Sequence, residues 1–345
     1  MKEIGLGIIG LGMGANVLAV DADEQSRLVV RAICDTNPST LARVHAAHPG
    51  VPFATDDYRR VIEHPEVNVV AIYTPDHLHL QHIQAALLAG KHVVCTKPLV
   101  VSLQEAQEVV RLVAASGCKL LVGQTCRFER HFMVAKQLYD DGDLGAPLFA
   151  EAHYVHDIRP VLDRTPWRYE APQDLLYGGA CHPVDLLRWF LGDVEEVFCY
   201  GASSGMDARY ARHGLPDNFL INLKFKSGVI ARILAAFGLV EPPLPMLGLS
   251  LFGTRGSLVN DRYVLDKLPS RPELRLHFPS ETGHGREVWR YLRHFEACLV
   301  EDRRPLVDEI EGAKCIATCA AIAESMRTGL PARVFDAFGR EPTDG

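Results

Sequence analysis

The stretch Ile4-Gly5-Leu6-Gly7-Ile8-Ile9-Gly10-Leu11-Gly12-Met13-Gly14-Ala15 decides how the first third of the chain folds. Ile4–Ile9 is a short apolar run that ends in a glycine cluster, and a helical pattern follows through Val20. Gly10, Gly12 and Ala15 are spaced as G-x-G-x-x-A. In that spacing the first glycine makes a tight turn and the second lets the backbone approach a pyrophosphate. The small third residue lets helix pack on strand. Free amides at the start of the helix would seat the phosphates. Glycine clusters also make plain turns, so context decides. Residues 27–34 read as a second strand that ends at Asp35, 20 residues beyond Ala15. A carboxylate there can accept hydrogen bonds from an adenosine ribose. It would repel a 2′-phosphate, so NAD is expected in preference to NADP. The plainer reading of Asp35 is a residue that opens the next helix.

Outward from this stretch, strands and helices alternate. Thr36-Asn37-Pro38-Ser39 opens a helix through His48. Residues 67–73 read as a strand, 76–89 as a helix and His92–Thr96 as a strand. Ser102-Leu103-Gln104-Glu105 is a capping-box pattern, and residues 118–123 close as another strand. Strands separated by helices of this length indicate βαβ units and a parallel sheet. Thr96-Lys97-Pro98 ends one strand, and ligands of such sheets bind beyond the carboxyl ends of the strands. Lys97 is therefore a candidate to hold a reacting oxygen, against the commoner fate of a solvated lysine. Pro98 directs Lys97 away from helical backbone angles.

Tyr177-Gly178-Gly179-Ala180-Cys181-His182-Pro183-Val184-Asp185 is the next informative segment. Val184, Leu187, Phe190 and Leu191 give a helical pattern, and Pro183 suits its first turn. His182 is then expected at a helix N-terminus, where the dipole disfavours imidazolium. A neutral imidazole can take a proton from an alcohol; the plainer reading is a capping histidine.

Composition sets the class. The 345 residues suggest two domains at ~150 residues each. Hydrophobic residues make up 48% and charged residues 23%, as in ordinary globular proteins. A net charge of −7 argues against nucleic acid and anionic membranes as partners. No apolar stretch approaches the ~20 residues of a membrane span, and Met1-Lys2-Glu3 does not begin a secretory leader. The nine cysteines form no C-x-x-C, and all are expected as reduced thiols in a cytoplasmic protein. His153 and His156 would face opposite sides of a strand, so no metal site is expected. Arginines between 159 and 168 could read an anionic substituent of a substrate.

The glycine motif, Asp35 and Lys97-Pro98 occur in order with Thr74-Pro75-Asp76-His77-Leu78-His79, Arg127-Phe128, Trp167-Arg168 and His182-x-x-Asp185. This order resembles the Gfo/Idh/MocA oxidoreductase family over almost the whole chain. The likeness extends to His294-Phe295, Arg304-Pro305 and the helix end Glu324-Ser325-Met326-Arg327-Thr328-Gly329. The resemblance implies an α/β fold with an NAD-binding Rossmann domain over residues 1–124. It implies a C-terminal α/β domain over residues 125–345 with a large, mostly antiparallel open sheet. One face of that sheet would cover a substrate crevice and the other would build a homodimer or homotetramer. Strand-like runs at 148–155, 194–201, 219–225, 228–237 and 247–252 agree with such a sheet.

The resemblance further implies hydride transfer between nicotinamide and a ring hydroxyl or carbonyl of a sugar, sugar acid or cyclitol. By matching position, Lys97 would polarise the reacting oxygen and His182 would act as acid/base. Gly10, Leu11, Gly12, Met13, Gly14 and Ala15 would hold the pyrophosphate and Asp35 the ribose. Thr74, Pro75 and His79 would line the dinucleotide site, and Trp167 and Arg168 would lie near the nicotinamide or the sugar. Arg127, Tyr154 and Asp157 join Lys97, Arg168 and His182 as expected substrate contacts. The chain departs from the family pattern twice. Thr96 precedes Lys97 where many members have glutamate, and Gly178 stands four residues before His182 where many have aspartate. His182 would then carry more of the proton transfer or take a partner among Asp185, Tyr154 and Asp157. Two other classes stay open here: an NAD-dependent glycoside hydrolase or lyase without net redox, and an idle NAD(H)-binding regulator.

Overall fold

Five strands rich in Val, Ile, Leu and Ala are largely buried on both faces, as a parallel sheet covered by helices requires, and a short half-buried edge strand makes a sixth. They are β1 (Ile4–Ile9), β2 (Leu28–Cys34), β3 (Phe53–Thr55), β4 (Val69–Ile72), β5 (His92–Thr96) and β6 (Leu120–Gly123). This computed structural model describes residues 3–22, 25–277 and 286–338. The six strands are ordered β3-β2-β1-β4-β5-β6, and every pairing is parallel. Strand order reverses between β1 and β4, the switch point at which such sheets bind ligands. Ile9 lies beside both Cys34 and Ile72. The residues that follow β1, β2, β4 and β5 therefore emerge along one edge.

Local sequence explains most of the helices. Asn37 caps Pro38–Ala47 by accepting from the amides of Ser39 and Thr40. Ser102 caps Leu103–Ser116 by accepting from Glu105 N at 3.2 Å, while the Glu105 carboxylate takes the Val101 N–H at 3.1 Å. The segment after the glycines differs from expectation: Met13–Ala22 is a 3₁₀ helix rather than an α-helix. The helix expected over 76–89 is a 3₁₀ turn, Asp76–Leu78, that continues as His79–Leu88. Strand β3 and the helix Tyr58–Glu63 are additional elements.

The chain forms two compact units. The first takes residues 3–125, 286–313 and Phe338, and the second takes 126–277 and 314–337. A single division into 1–124 and 125–345 therefore misassigns residues 286–313, which complete the first unit. Val122 N donates to Val307 O at 2.8 Å beside β6. The Tyr291 hydroxyl meets that of Tyr73 in the buried interior. Glu296 accepts from Ser26 Oγ at 2.8 Å and from Arg27 N at 3.1 Å.

The second unit is built on nine strands. They are β7 (Pro147–Val155), β8 (Val194–Ala202), β9 (Asn218–Phe225), β10 (Ile230–Ala236), β11 (Leu247–Gly253), β12 (Gly256–Val259), β13 (Arg262–Leu265), β14 (Leu274–Arg275) and β15 (Ala332–Arg333). Their order is β14-β13-β12-β11-β7-β10-β9-β8-β15, antiparallel except where β7 meets β10. One face is buried and the other open. In β9, Phe219, Ile221, Leu223 and Phe225 point inward while Leu220 and Lys224 are exposed. The inward face joins one core with Leu186 and Leu187 of the helix Cys181–Leu191 and with Ile322 of the helix Glu309–Thr328. The architecture is α/β: a parallel Rossmann sheet and a mostly antiparallel open sheet. Among the described residues no helix is long and apolar enough to cross a membrane, and no cluster of His, Cys, Asp and Glu could hold a metal ion.

Candidate active site

Each unit carries its own set of chemically capable residues. In the first unit they follow the carboxyl ends of β2, β1, β4 and β5. Gly10 has φ +90°, and a Cβ there would stand 2.7 Å from the Tyr73 carbonyl carbon, so only glycine fits this turn. Gly14 packs its bare Cα against Tyr73. Gly12 is exposed, and nothing lies within 4 Å of where its Cβ would be. Packing within the chain therefore does not require glycine at position 12. Leu11 is buried, Met13 is 57% exposed and Ala15 is half-buried.

Asp35 latches this turn. Its Oδ2 accepts from Leu11 N and its Oδ1 from Asn37 N, both at 2.8 Å. A carboxylate has about four lone-pair positions, so acceptor capacity remains for ribose hydroxyls. The helix-opening and ribose readings of Asp35 are thus compatible. Burial pushes the neighbouring Cys34 thiol up to about 12, and the carboxylates of Asp35, Asp57 and Asp56 add to the shift. These three negative charges surround the end of β2. The open face of Gly12 leaves room for a pyrophosphate, and the spare acceptor positions of Asp35 suit a ribose, so the residues present fit a dinucleotide.

Thr74 and Pro75 are half-buried beyond β4, and Thr74 Oγ1 lies 3.0 Å from His82 Nδ1. Lys97 is half-buried at the end of β5, and the Lys97–Pro98 peptide is cis. The expected ligand-lining role of His79 is not what its side chain does. His79 is completely buried, with Nε2 3.0 Å from Thr74 O and Nδ1 2.8 Å from Pro98 O. Its ring sits between the loop carrying Thr74 and the loop carrying Lys97, and the single N–H of its neutral form donates to one of these carbonyls. Burial pushes the His79 imidazole below its ordinary pKa.

In the second unit, His182 is 6% exposed. Its Nδ1 lies 3.8 Å from Cys126 Sγ, and its ring meets the edge of Tyr154 at 5.2 Å between centroids. Burial raises the Tyr154 phenol above its ordinary pKa, with the charge of Arg168 opposing. The helix here begins earlier than its apolar pattern suggests. A π-helical turn, Leu176–Ala180, runs directly into Cys181–Leu191, and Asp174 Oδ1 accepts from Leu176 N at 2.8 Å. His182 therefore lies beyond the first turn, and the dipole argument for its neutral form does not reach it.

Three expected partners or contacts are engaged elsewhere. Arg127 is 3% exposed and forms a bidentate pair with Asp185, Nε to Oδ2 at 2.8 Å and Nη2 to Oδ1 at 2.7 Å. Asp185 is 0% exposed. Arg127 is thus a buried structural cation rather than a substrate contact, and Asp185 is its counter-ion rather than a partner of His182. The Asp157 carboxylate holds Arg159 through Oδ2 to Nη2 at 2.6 Å, which keeps its pKa below the usual range. Of the three named partners, Tyr154 is the one whose ring packs on His182.

Trp167 and Arg168 open the short helix Trp167–Glu170, with the Arg168 guanidinium 4.3 Å above the indole. Arg168 Nε donates to Gln173 Oε1 at 2.8 Å. Gln173 was not singled out from sequence. Its only signal is the glycine it leans on, since a glycine inside a helical stretch often marks a close neighbour. Gly179 has the same cause, because a Cβ there would collide with the Phe237 ring.

The chain is similar to known proteins over most of its length. Residues 4–124 match the model of the oxidoreductase family with NAD-binding Rossmann fold, and residues 132–259 match the GFO/IDH/MocA C-terminal domain. The chain is 25% identical over 337 residues to 1,5-anhydro-D-fructose reductase of Ensifer adhaerens, covering 95% of this chain and 98% of that protein. It is 28% identical over 270 residues to myo-inositol 2-dehydrogenase of Thermotoga maritima, 74% and 75% of the two chains. The fold of levoglucosan dehydrogenase in complex with NADH superposes with a TM-score of 0.86 at 20% identity, covering 97% of this chain and 100% of that one. With both family models matched in sequence order, the chain belongs to the Gfo/Idh/MocA family of NAD-binding oxidoreductases.

Proposed function

We propose that this chain is an NAD-dependent oxidoreductase acting on a ring hydroxyl or carbonyl of a sugar, sugar acid or cyclitol. The observation that carries the reading is the edge formed by the open Gly12 turn, Asp35, Thr74 and Lys97, taken with the buried His182 packed against half-buried Tyr154. A nicotinamide dinucleotide held by the Gly10–Ala15 turn, Asp35 and Thr74-Pro75 would supply or accept the hydride. Lys97 would hold the reacting oxygen, and His182 would take the hydroxyl proton or return it. Tyr154 would orient the His182 ring. Relatives named for anhydrofructose, inositol and levoglucosan support a cyclic polyol substrate.

Asp35 at the end of β2 supports NAD over NADP, because its carboxylate would repel a 2′-phosphate. The open face of the second sheet supports self-association. Tyr200, Leu220, Ile230 and Leu234 are 66%, 57%, 55% and 39% exposed on adjacent strands, an apolar patch that suits a second copy of the chain. Nine free cysteines, eight of them buried, support a cytoplasmic location.

The test is a panel of free sugars, aldonates, uronates, myo-inositol, levoglucosan and chromogenic glycosides with NAD and NADP. Nicotinamide absorbance and aglycone release are recorded together. Stoichiometric NADH with a free cyclic polyol is expected. Aglycone release without NADH build-up would overturn the reading.

A further inference from the structure

Gly178 lies four residues ahead of His182 in the same continuous helical stretch, and its Cα face is already occupied. The Gln173 carboxamide is there, with Oε1 2.6 Å from the position a Cβ at residue 178 would take. That separation is too short for two non-bonded atoms. Either residue 178 stays glycine or Gln173 moves. Gln173 is buried, and its backbone carbonyl accepts from the buried Tyr210 hydroxyl at 2.8 Å, which anchors residue 173 from below. Its side-chain oxygen accepts from Arg168 Nε at 2.8 Å, and Arg168 in turn lies over Trp167. Gly178, Gln173, Arg168 and Trp167 therefore form a single run of contacts that starts on the helix of His182.

We propose that Gln173 is a positioning residue for substrate: it fills the face of Gly178 and fixes the Arg168 guanidinium over Trp167, so that Arg168 holds an acceptor oxygen of the substrate. This rests on the oxidoreductase reading of His182. It also accounts for a glycine at a position where the family pattern has a carboxylate. A carboxylate there would lie in the volume of the Gln173 side chain. A guanidinium has only donors, so its substrate partner is a hydroxyl, carbonyl or carboxylate oxygen acting as acceptor.

The test is a cycle of Gln173→Ala, Gly178→Ala and the double variant, with Gln173→Glu as the conservative change. It uses the panel compound of highest turnover at saturating NAD. Gln173→Ala removes this acceptor of Arg168 and should raise KM roughly three- to tenfold with kcat little changed, the usual worth of one hydrogen bond. Gly178→Ala should do the same, because its methyl displaces the carboxamide. Alanine otherwise suits a helix better than glycine, so a general helix defect would not produce this loss. In the double variant the methyl has nothing to displace, and KM should match that of Gln173→Ala alone. Gln173→Glu keeps the acceptor and should retain a near-normal KM. An unchanged KM in Gln173→Ala, or single effects that multiply in the double variant, would overturn the proposal.

A second readout needs no turnover. Trp167 emission, taken as the difference from Trp167→Phe, should shift in both single variants and be no further changed in the double. If no panel compound reacts, the oxidoreductase reading fails while this emission cycle still decides whether Gly178, Gln173 and Arg168 are coupled. Emission unaffected by Gln173→Ala would overturn the coupling.

Discussion

Replacing Arg127 by methionine separates a structural role from a substrate role. The change keeps most of the side-chain stem and removes both donors to Asp185. The two side chains are 3% and 0% exposed, and their bonds of 2.8 and 2.7 Å are close to ideal. Asp185 lies on the buried helix Cys181–Leu191, among Val184, Leu186 and Leu187. Without Arg127 its carboxylate would be a lone charge away from water. Breaking a buried pair in this way costs about 3–5 kcal/mol. For a unit of this size a loss of 1 kcal/mol lowers Tm by about 2–4 °C, so the expected fall is of the order of 10 °C. Calorimetry and urea unfolding measure it, and steady-state kinetics at lower temperature measure KM. The double variant Arg127→Met/Asp185→Leu should regain much of the loss, because no unpaired charge remains. An unchanged Tm with a raised KM in Arg127→Met would refute this reasoning and return Arg127 to the substrate.

Other outcomes follow from the same geometry. His182→Ala should reduce turnover by ~10²–10⁴, the common worth of one acid/base group, while NADH binding followed by fluorescence stays unchanged. Asp35→Ser should weaken NAD binding by roughly tenfold or more and narrow the preference over NADP, since a charged acceptor is lost; titration with both cofactors reads this. Leu220→Lys with Leu234→Lys should lower the mass seen by sedimentation velocity without changing the circular dichroism. Burial holds His82, His131 and His294 at about 4, below the ordinary 6.5. The unfolded chain therefore binds protons that the folded chain refuses. Stability is complete above about pH 6.5 and declines as pH falls from 6.5 towards 4, which urea midpoints across that range would follow.

The backbone was far more legible in the sequence than the roles of side chains. β1 and β5 were read to the residue, because apolar runs bounded by glycine or proline leave little choice. The strands β12 to β15 have two to four residues each, too short to show a period. The helix Arg286–Val300 belongs with the first unit through Tyr291 and Glu296, and no local pattern announces which sheet a helix joins. Arg127 and His79 looked like ligand contacts because polar residues in motifs usually face solvent or ligand. Their neighbours in space bury them, and that information is tertiary. Gly178 was visible as a departure from pattern, but Gln173 was not, because nothing in the intervening residues marks its side chain as folding back.

Residues 286–313 complete the first unit after residues 126–277, the larger part of the second unit, have been made. The sheet that carries Gly12, Asp35 and Lys97 is made long before the segment that holds the partners of Tyr73, Ser26 and Val122. A fragment ending near residue 124 would emerge with those partners missing and part of its core in water. Chain order and contact order thus part company here: the first strand made belongs to a unit whose closing contacts come from a segment that follows most of the second unit.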